Sequence, residues 1–412
     1  MIKKRKWVMY LILLGITAVS SFCHAGTAWA DMEEAQEEVQ QEAQKNKQGP
    51  GDEGEVQEYL GEEQNEKLKD QVLEYSEIQD MIRNYNPSVQ EAVSAYNRTL
   101  EQYADGWAEM KFGKNSVATD KKNAKDSGDA QQYSYYAAEE ALYQSAAKSY
   151  QKMYDSMQSA SSTSSQRKIE RQMTVATQSL VISYETMRLE RDTLEKEREL
   201  YQKQYELAVV REQAGMGTQA DVLKALNQVQ SAEASIASTD ESMAGLYDSI
   251  CLSVGRDTNG GMVIAEIPAA DTKRADGINL EEDTRKAIGN NDTLMSDRHS
   301  LQATSTSSSN YKLRTMEEGE QKLASKMESL YDSVQQKKKA LETAATGYEK
   351  AGREKQNADT KYSIGMLSQD EYLREQMNYI QRTAEYRSAD LAFTQAMDAY
   401  NWAVLGIADI EA

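Results

Sequence analysis

The sequence predicts an all-α protein built from two tandem repeats of long antiparallel coiled-coil helical hairpins, with no obvious β-barrel. Three observations carry this expectation. A nine-residue stretch beginning at Gly215 returns 150 positions later at Gly365. Each copy is followed by apolar positions spaced alternately four and three residues apart, the signature of a coiled-coil helix. The 412 residues include only 3 Pro, so little interrupts a long helix. With 39% hydrophobic and 28% charged residues and a mean hydropathy of −0.75, the chain is too polar for a membrane-embedded bundle.

The first 30 residues read as a cleaved export signal. Lys3, Lys4, Arg5 and Lys6 precede an apolar core from Trp7 to Val19, and Ala28 and Ala30 frame a small-x-small cleavage site ahead of Asp31. That core is shorter than the roughly 20 residues a spanning helix needs. Phe22, directly before Cys23, is bulky where a lipoprotein signal carries a small residue. Residues 31–70 follow with 14 acidic against 4 basic side chains. Such a segment cannot bury enough surface to offset its ordering entropy, so it reads as an acidic disordered linker.

Cleavage removes Cys23 and His24 and leaves Cys251 and His299 as the mature chain's sole Cys and His. A disulfide framework, a Cys–His nucleophilic pair and a Cys/His zinc site are thereby excluded. No pair of carboxylates is placed in a shielded pocket that would separate their pKa values. The expectation is a protein that is not an enzyme, with no cofactor and no metal. A net charge of −20 disfavours nucleic acid as a partner.

The first repeat is assigned to 75–255 and the second to 280–408, with 256–279 as the link. Each opens near an Asn: Asn86-Pro87 with Val89 in the first, Asn291 with Leu294 in the second. Pro87 suits a helix's first turn, where its missing amide does no harm. An incoming helix carries Leu180, Tyr184, Met187, Leu194, Tyr201 and Tyr205, interrupted at Arg191 and Arg198. The outgoing seams run from Val222 to Val254, broken by Glu233 and Asp240, and from Tyr372 to Val404, with Tyr379, Tyr386 and Tyr400 among its positions. They end close to Gly255 and Gly406, which serve as helix stops.

Between incoming and outgoing helices stands only a G-M-x-[ST] connector: Gly215, Met216, Gly217 and Thr218 in one copy, Gly365, Met366, Leu367 and Ser368 in the other. Gly215 and Gly365 can close a helix in the left-handed conformation. Thr218 with Asp221, and Ser368 with Glu371, form capping boxes that start the next helix. A stop followed at once by a start makes a hairpin. The first repeat also carries 55 additional residues, placed as an insertion at about 105–165. They comprise a polar stretch from Gly113 to Gly128, a Tyr/Ala-rich helical piece from Tyr133 to Met157, and a Ser/Thr run from Ser159 to Ser165.

Taken together, the duplicated Asn start, hairpin tip and terminal Gly resemble the TolC-type outer-membrane efflux protein family over about residues 75–408. The resemblance implies a homo-trimer enclosing a helical tunnel, anchored by a β-barrel in the outer membrane. It implies hairpin tips, Gly215 to Thr218 and Gly365 to Ser368, that dock to an adaptor (membrane fusion) protein of an ABC-type or other export pump. Of the paired carboxylates that narrow the family's entrance, the first matches Glu371, whereas the second position holds Arg374.

The chain departs from the family where the barrel strands belong. Ala303 to Asn310 is a polar connector too short for two spanning strands, and no alternating apolar runs occur in 105–165. The expectation is therefore a divergent, barrel-less member in the cell envelope, fitting the cell-wall space of a bacterium without an outer membrane. The functional expectation is a non-catalytic conduit or scaffold. Its rival is a structural coiled-coil protein of the cell surface or wall, which gives no reason for register-matched tips. Capping chemistry alone accounts for the Gly, Thr and Asp of the tips, but leaves Met216 and Met366 for partner contact.

Overall fold

The computed structural model describes residues 68–301 and 306–408. The export signal, with Ala28 and Ala30, and residues 31–67 of the acidic linker lie outside them. A short entry precedes the long helices: strand β1 (Val72–Leu73), a 3-10 turn (Tyr75–Glu77) and helix α1 (Ile78–Tyr85). The first hairpin system is then α2 (Pro87–Asp126), α3 (Ala130–Met157), α4 (Ala160–Gln213) and α5 (Gln219–Ser253). Strand β2 (Val263–Ile264) and α6 (Lys273–Asp276) occupy the link. The second system is α7 (Leu280–Asn290), α8 (Asp292–Leu301), α9 (Thr306–Ser363) and α10 (Gln369–Val404).

β1 and β2 are the strands among the described residues, and they pair in parallel with Val72 opposite Val263 and Leu73 opposite Ile264. They fasten the chain's entry to the link. Arg256 adds to the fastening by donating to the carbonyls of Leu68 and Asp70. Leu68 is buried in the adjoining core, so the last residues of the expected linker are packed, because their carbonyls and one apolar side chain find partners there. Among the described residues no helix is long and apolar enough to cross a membrane.

The chain divides into two compact units, one of which includes Ala95–Ser162 and the other the flanking residues. The first is a helical hairpin of the later part of α2 with α3. The polar stretch Gly113–Gly128 is helical through Asp126, and only the turn at Gly128, φ +76°, breaks it. Asp129 then starts α3 by accepting from the amides of Gln131 and Gln132. Polar composition here marks a solvated helical face, with Val117 and Ala124 buried on the inner side. Close approach is made possible by glycine: Gly106 faces the ring of Tyr150 and Gly113 that of Tyr143. Trp107, Ala108, Met110 and Ala147 complete the core of this unit.

In the other unit, two cores support the long hairpins. One gathers Ile78 and Ile82 of α1, Val181 and Ile182 of α4, Ile250 and Val254 of α5, and Ile264 and Ile267 of the link. The second holds Leu294, Leu323, Met327 and Val334 against Phe393, Met397 and Tyr400. Each fully buried aliphatic side chain contributes about 1.5–3 kcal/mol.

The duplicated Asn residues tie both systems together in the same way. Asn86 accepts from the amides of Ser88 and Val89 through Oδ1 and donates from Nδ2 to the carbonyl of Ser253 at 2.7 Å. Asn291 accepts from the amide of Leu294 and donates to the carbonyls of Gly406 and Ala408. Both are buried, and each caps the opening helix while holding the end of its repeat's last helix.

The outgoing seams differ from the expected register in one respect. Glu233 and Asp240 are exposed, and the buried positions on α5 are Ala225, Val229, Ala232, Thr239, Ile250 and Cys251. Small side chains let α5 approach closely, so the seam shifts by one residue past each acid. On α10, in contrast, every expected seam position from Tyr372 to Val404 is covered or half covered. Tyr348 lies against both Tyr379 and Tyr386, with ring centroids 5.8 and 5.4 Å apart.

Candidate functional site at the hairpin tips

The two tips are built alike, backbone bond for backbone bond. In the first, the amide of Gly215 donates to the carbonyl of Glu212 at 2.9 Å and that of Met216 to Arg211 at 2.8 Å. In the second, Gly365 donates to Tyr362 at 3.0 Å and Met366 to Lys361 at 2.8 Å. This is the Schellman closure, and it requires the left-handed residue supplied by Gly215 at φ +72° and Gly365 at φ +74°. A Cβ at either glycine would meet nothing within 4 Å.

Two residues further on, each new helix starts with a reciprocal cap. The amide of Asp221 donates to Thr218 Oγ1 at 3.2 Å, and the amide and hydroxyl of Thr218 donate to Asp221 Oδ2 at 3.0 and 2.7 Å. The amide of Glu371 donates to Ser368 Oγ at 3.3 Å, and the amide and hydroxyl of Ser368 donate to Glu371 Oε2 at 3.1 and 2.7 Å. These bonds favour the charged carboxylates. The Thr218 hydroxyl, then its amide, hold Asp221 below the usual carboxylate range, and Ser368 acts on Glu371 in the same order. Arg374 is exposed and adds a smaller Coulombic share at Glu371.

Gly217 and Leu367, the third residues of the two connectors, are half-buried. A Schellman turn commonly packs the residue after its glycine against the helix it closes. Here that residue faces Arg211 or Lys361, and it stays in solvent: Met216 is 77% and Met366 75% exposed. The fold therefore makes no use of either methionine. Val210, Leu223 and Ile364 are exposed beside them, giving the tip region five large apolar side chains in water.

An ion pair joins the two tips, with Arg211 at the end of α4 bonding Asp370 in the first turn of α10 at 2.7 Å. Just behind the second tip, Tyr362 and Tyr372 stack at 4.3 Å and 3°. The Tyr372 hydroxyl donates to Asp359, whose other oxygen takes Lys355. Sequence reasoning found the connectors and caps but missed Val210, Ile364 and the Arg211–Asp370 pair. Charges at helix ends were visible as signals, but their pairing across hairpins depends on which helices become neighbours.

No known protein-family profile and no curated protein matches the chain in sequence. Among solved structures it is similar to a membrane protein from Pseudomonas aeruginosa, at 11% identity and a TM-score of 0.50, over 82% of this chain and 91% of that one. It is also similar to the outer-membrane channel OprN, at 9% identity and 0.48 over 81% and 90% of the two chains. A further similar structure is the outer membrane protein VceC from Vibrio cholerae, at 11% and 0.49 over 81% and 96%. At such identities the likeness is one of fold. The fold shared with the Pseudomonas aeruginosa protein is an all-α one of repeated helical hairpins.

Proposed function

We propose that the protein is a non-catalytic conduit or scaffold of an efflux or export assembly in the cell envelope, working as a homo-trimer whose hairpin tips dock to an adaptor protein. The observation that carries this reading is the matched pair of exposed methionines, Met216 and Met366, on two rigidly closed turns. A flexible apolar side chain held in water on a firm base suits contact with a partner. The ion pair Arg211–Asp370 supports it by presenting both tips as one surface. Among the described residues no group of His, Cys, Asp and Glu is arranged to hold a metal ion, and the chemistry on view at the tips is capping.

The test replaces Met216→Asp together with Met366→Asp in the full chain. Both side chains are exposed, so helicity and thermal melting should be unchanged while co-purification of the adaptor is lost. An adaptor still bound at wild-type yield would sink the reading.

A further inference from the structure

The first repeat, the link and the second repeat meet at a buried cluster of charge that the hairpin tips do not use. Glu185 of α4 and Asp390 of α10 are 3% and 4% exposed. Arg188 on the same helix as Glu185, Arg387 of α10 and Glu266 of the link complete the cluster. Three carboxyl groups thus face two guanidinium groups, an excess of one negative charge when all are ionised. Tyr184 of α4 and Tyr247 and Cys251 of α5 border the adjoining core, which Val181 and Ile182 of α4 share. Burial raises the pKa of Tyr247 and of Cys251 above their ordinary values, so α5 brings no charge to the junction.

The excess charge can be placed on one atom. Arg188 donates to Glu185 Oε1 at 2.8 Å. Arg387 is spent elsewhere, donating to Asp390, Glu266 and the carbonyl of Ile267, and it stands 3.9 Å from Glu185 Oε1. The other oxygen of Asp390 accepts from the amide of Ala270 in the link at 3.0 Å. Among the described residues, Glu185 Oε2 has no hydrogen-bond partner. An ionised carboxylate with a bare buried oxygen is costly, whereas a proton on that oxygen removes most of the cost and balances the cluster. Burial accordingly raises the pKa of Glu185, against the pull of Arg188 and Arg387.

We propose that Glu185 is a proton-operated latch at the junction of the two repeats. With Glu185 neutral, Arg387 clamps α10 to the link through Ile267 and Glu266. Loss of the proton to solvent creates a charge for which Arg387 is the nearest cation besides Arg188. Drawing that guanidinium toward Glu185 takes it from the Ile267 carbonyl and loosens the link from α10. The element with two arrangements is a single side chain with acceptors on either side, and one proton biases it. The folded pKa lies above the free value of about 4.3. The latch is therefore fully closed below the free value and is released as pH rises through the folded one. The inference stands apart from what the hairpin tips do.

Hydrogen exchange in the full chain tests it, read at the Ala270 amide between about pH 4 and pH 8, corrected for the chemical exchange rate and referred to amides in the middle of α5. In the wild type, protection of Ala270 should fall as pH rises, by up to about tenfold per pH unit, the most that one proton can give. Glu185→Gln keeps the shape and cannot ionise, so it should hold Ala270 protected throughout. Its Tm should match that of wild type at the acid end and exceed it at the alkaline end. Asp398→Asn, which removes the other acid on α10 whose pKa burial raises, should keep the wild-type slope. A Gln variant that follows the wild-type profile would overturn the proposal. So would a wild-type chain that loses protection at Ala270 as pH falls, or a slope abolished by Asp398→Asn. A Gln variant that fails to fold, or that melts below wild type at the alkaline end, overturns it as well, since the closed junction would then need the charge.

Discussion

Arg191 on α4 bonds Asp240 on α5, and each stands where the apolar seam expected for its own helix is interrupted. The two interruptions therefore answer each other across the hairpin. Arg191 also reaches Glu195 on its own helix at 3.1 Å. The pair sits at the solvent edge, with side chains 33% and 48% exposed, so its contribution is register selection more than stability.

A double-mutant cycle tests this placement. Arg191→Ala and Asp240→Ala should each lower Tm slightly, with a coupling between them that fades as salt is raised and the screening length shrinks to about 3 Å at 1 M. Coupling that persists undiminished in high salt would mean the pair is shielded and the edge placement wrong.

The positive-φ glycines divide into two classes that substitution should separate. Gly255 and Gly406 have φ of +67° and +93°, and a Cβ on either would lie 2.2 Å from a backbone oxygen, of Tyr85 and Asn290 respectively. Gly215 and Gly365 share the left-handed conformation but face open space. Ala at a tip should cost only the conformational strain, about 1–2 kcal/mol. Ala at Gly255 or Gly406 must also displace backbone next to the buried Asn86 or Asn291, and should cost at least about 3 kcal/mol. Chemical denaturation of the four variants checks the ranking, and equal losses would refute it.

Much of this architecture is legible in the sequence, and the parts that are not have physical reasons. Helix length follows from scarce proline, and the caps at Thr218 and Ser368 follow from local chemistry between neighbours in the chain. Asn86 and Asn291 could be matched as repeats, but their hold on the carbonyls of Ser253 and Gly406 depends on tertiary approach. The strands β1 and β2 are two residues each, too short for an alternating pattern to register. The seam on α5 was misplaced at Glu233 and Asp240 because large apolar residues dominate a periodicity count, whereas Ala232 and Thr239 do the packing. At the tips, Met216 and Met366 stood out because capping did not need them; Val210 and Ile364 looked like ordinary helix residues.

Acid should act on the caps in a predictable direction. Asp221 and Glu371 have folded pKa values below their free values, near 3.9 and 4.3. Their stabilisation is complete above the free values and is lost as pH falls through the folded ones. Glu185 and Asp398 work oppositely, because burial raises both. They favour the native state at low pH and lose that advantage as pH rises through the window between free and folded values. Thr218→Ala with Ser368→Ala removes the bonds that depress the cap carboxylates, so its Tm should fall less than that of wild type between about pH 5 and pH 2.5. Parallel curves would show that the caps do not carry acid sensitivity.

Helix-interior glycines provide a last contrast, because Gly→Ala on a solvated helix ordinarily gains stability, about 1 kcal/mol from propensity. Gly245 on α5 has open space around its missing Cβ, so Gly245→Ala should show that gain. Gly106 and Gly113 on α2 are different. A Cβ there would stand 2.5 Å from the rings of Tyr150 and Tyr143, and those rings are wedged between antiparallel helices. Ala at either position must push a ring outward or part the helices, so the propensity gain should be reversed into a net loss of about 1–3 kcal/mol. The cause can be isolated by shortening the opposing side chain: Gly113→Ala combined with Tyr143→Leu should be more stable than the sum of the single changes. Denaturant melts of the five variants, the single Tyr143→Leu included, give the answer. A gain at Gly106 or Gly113 equal to that at Gly245 would show that the tyrosines do not close on α2 at these glycines.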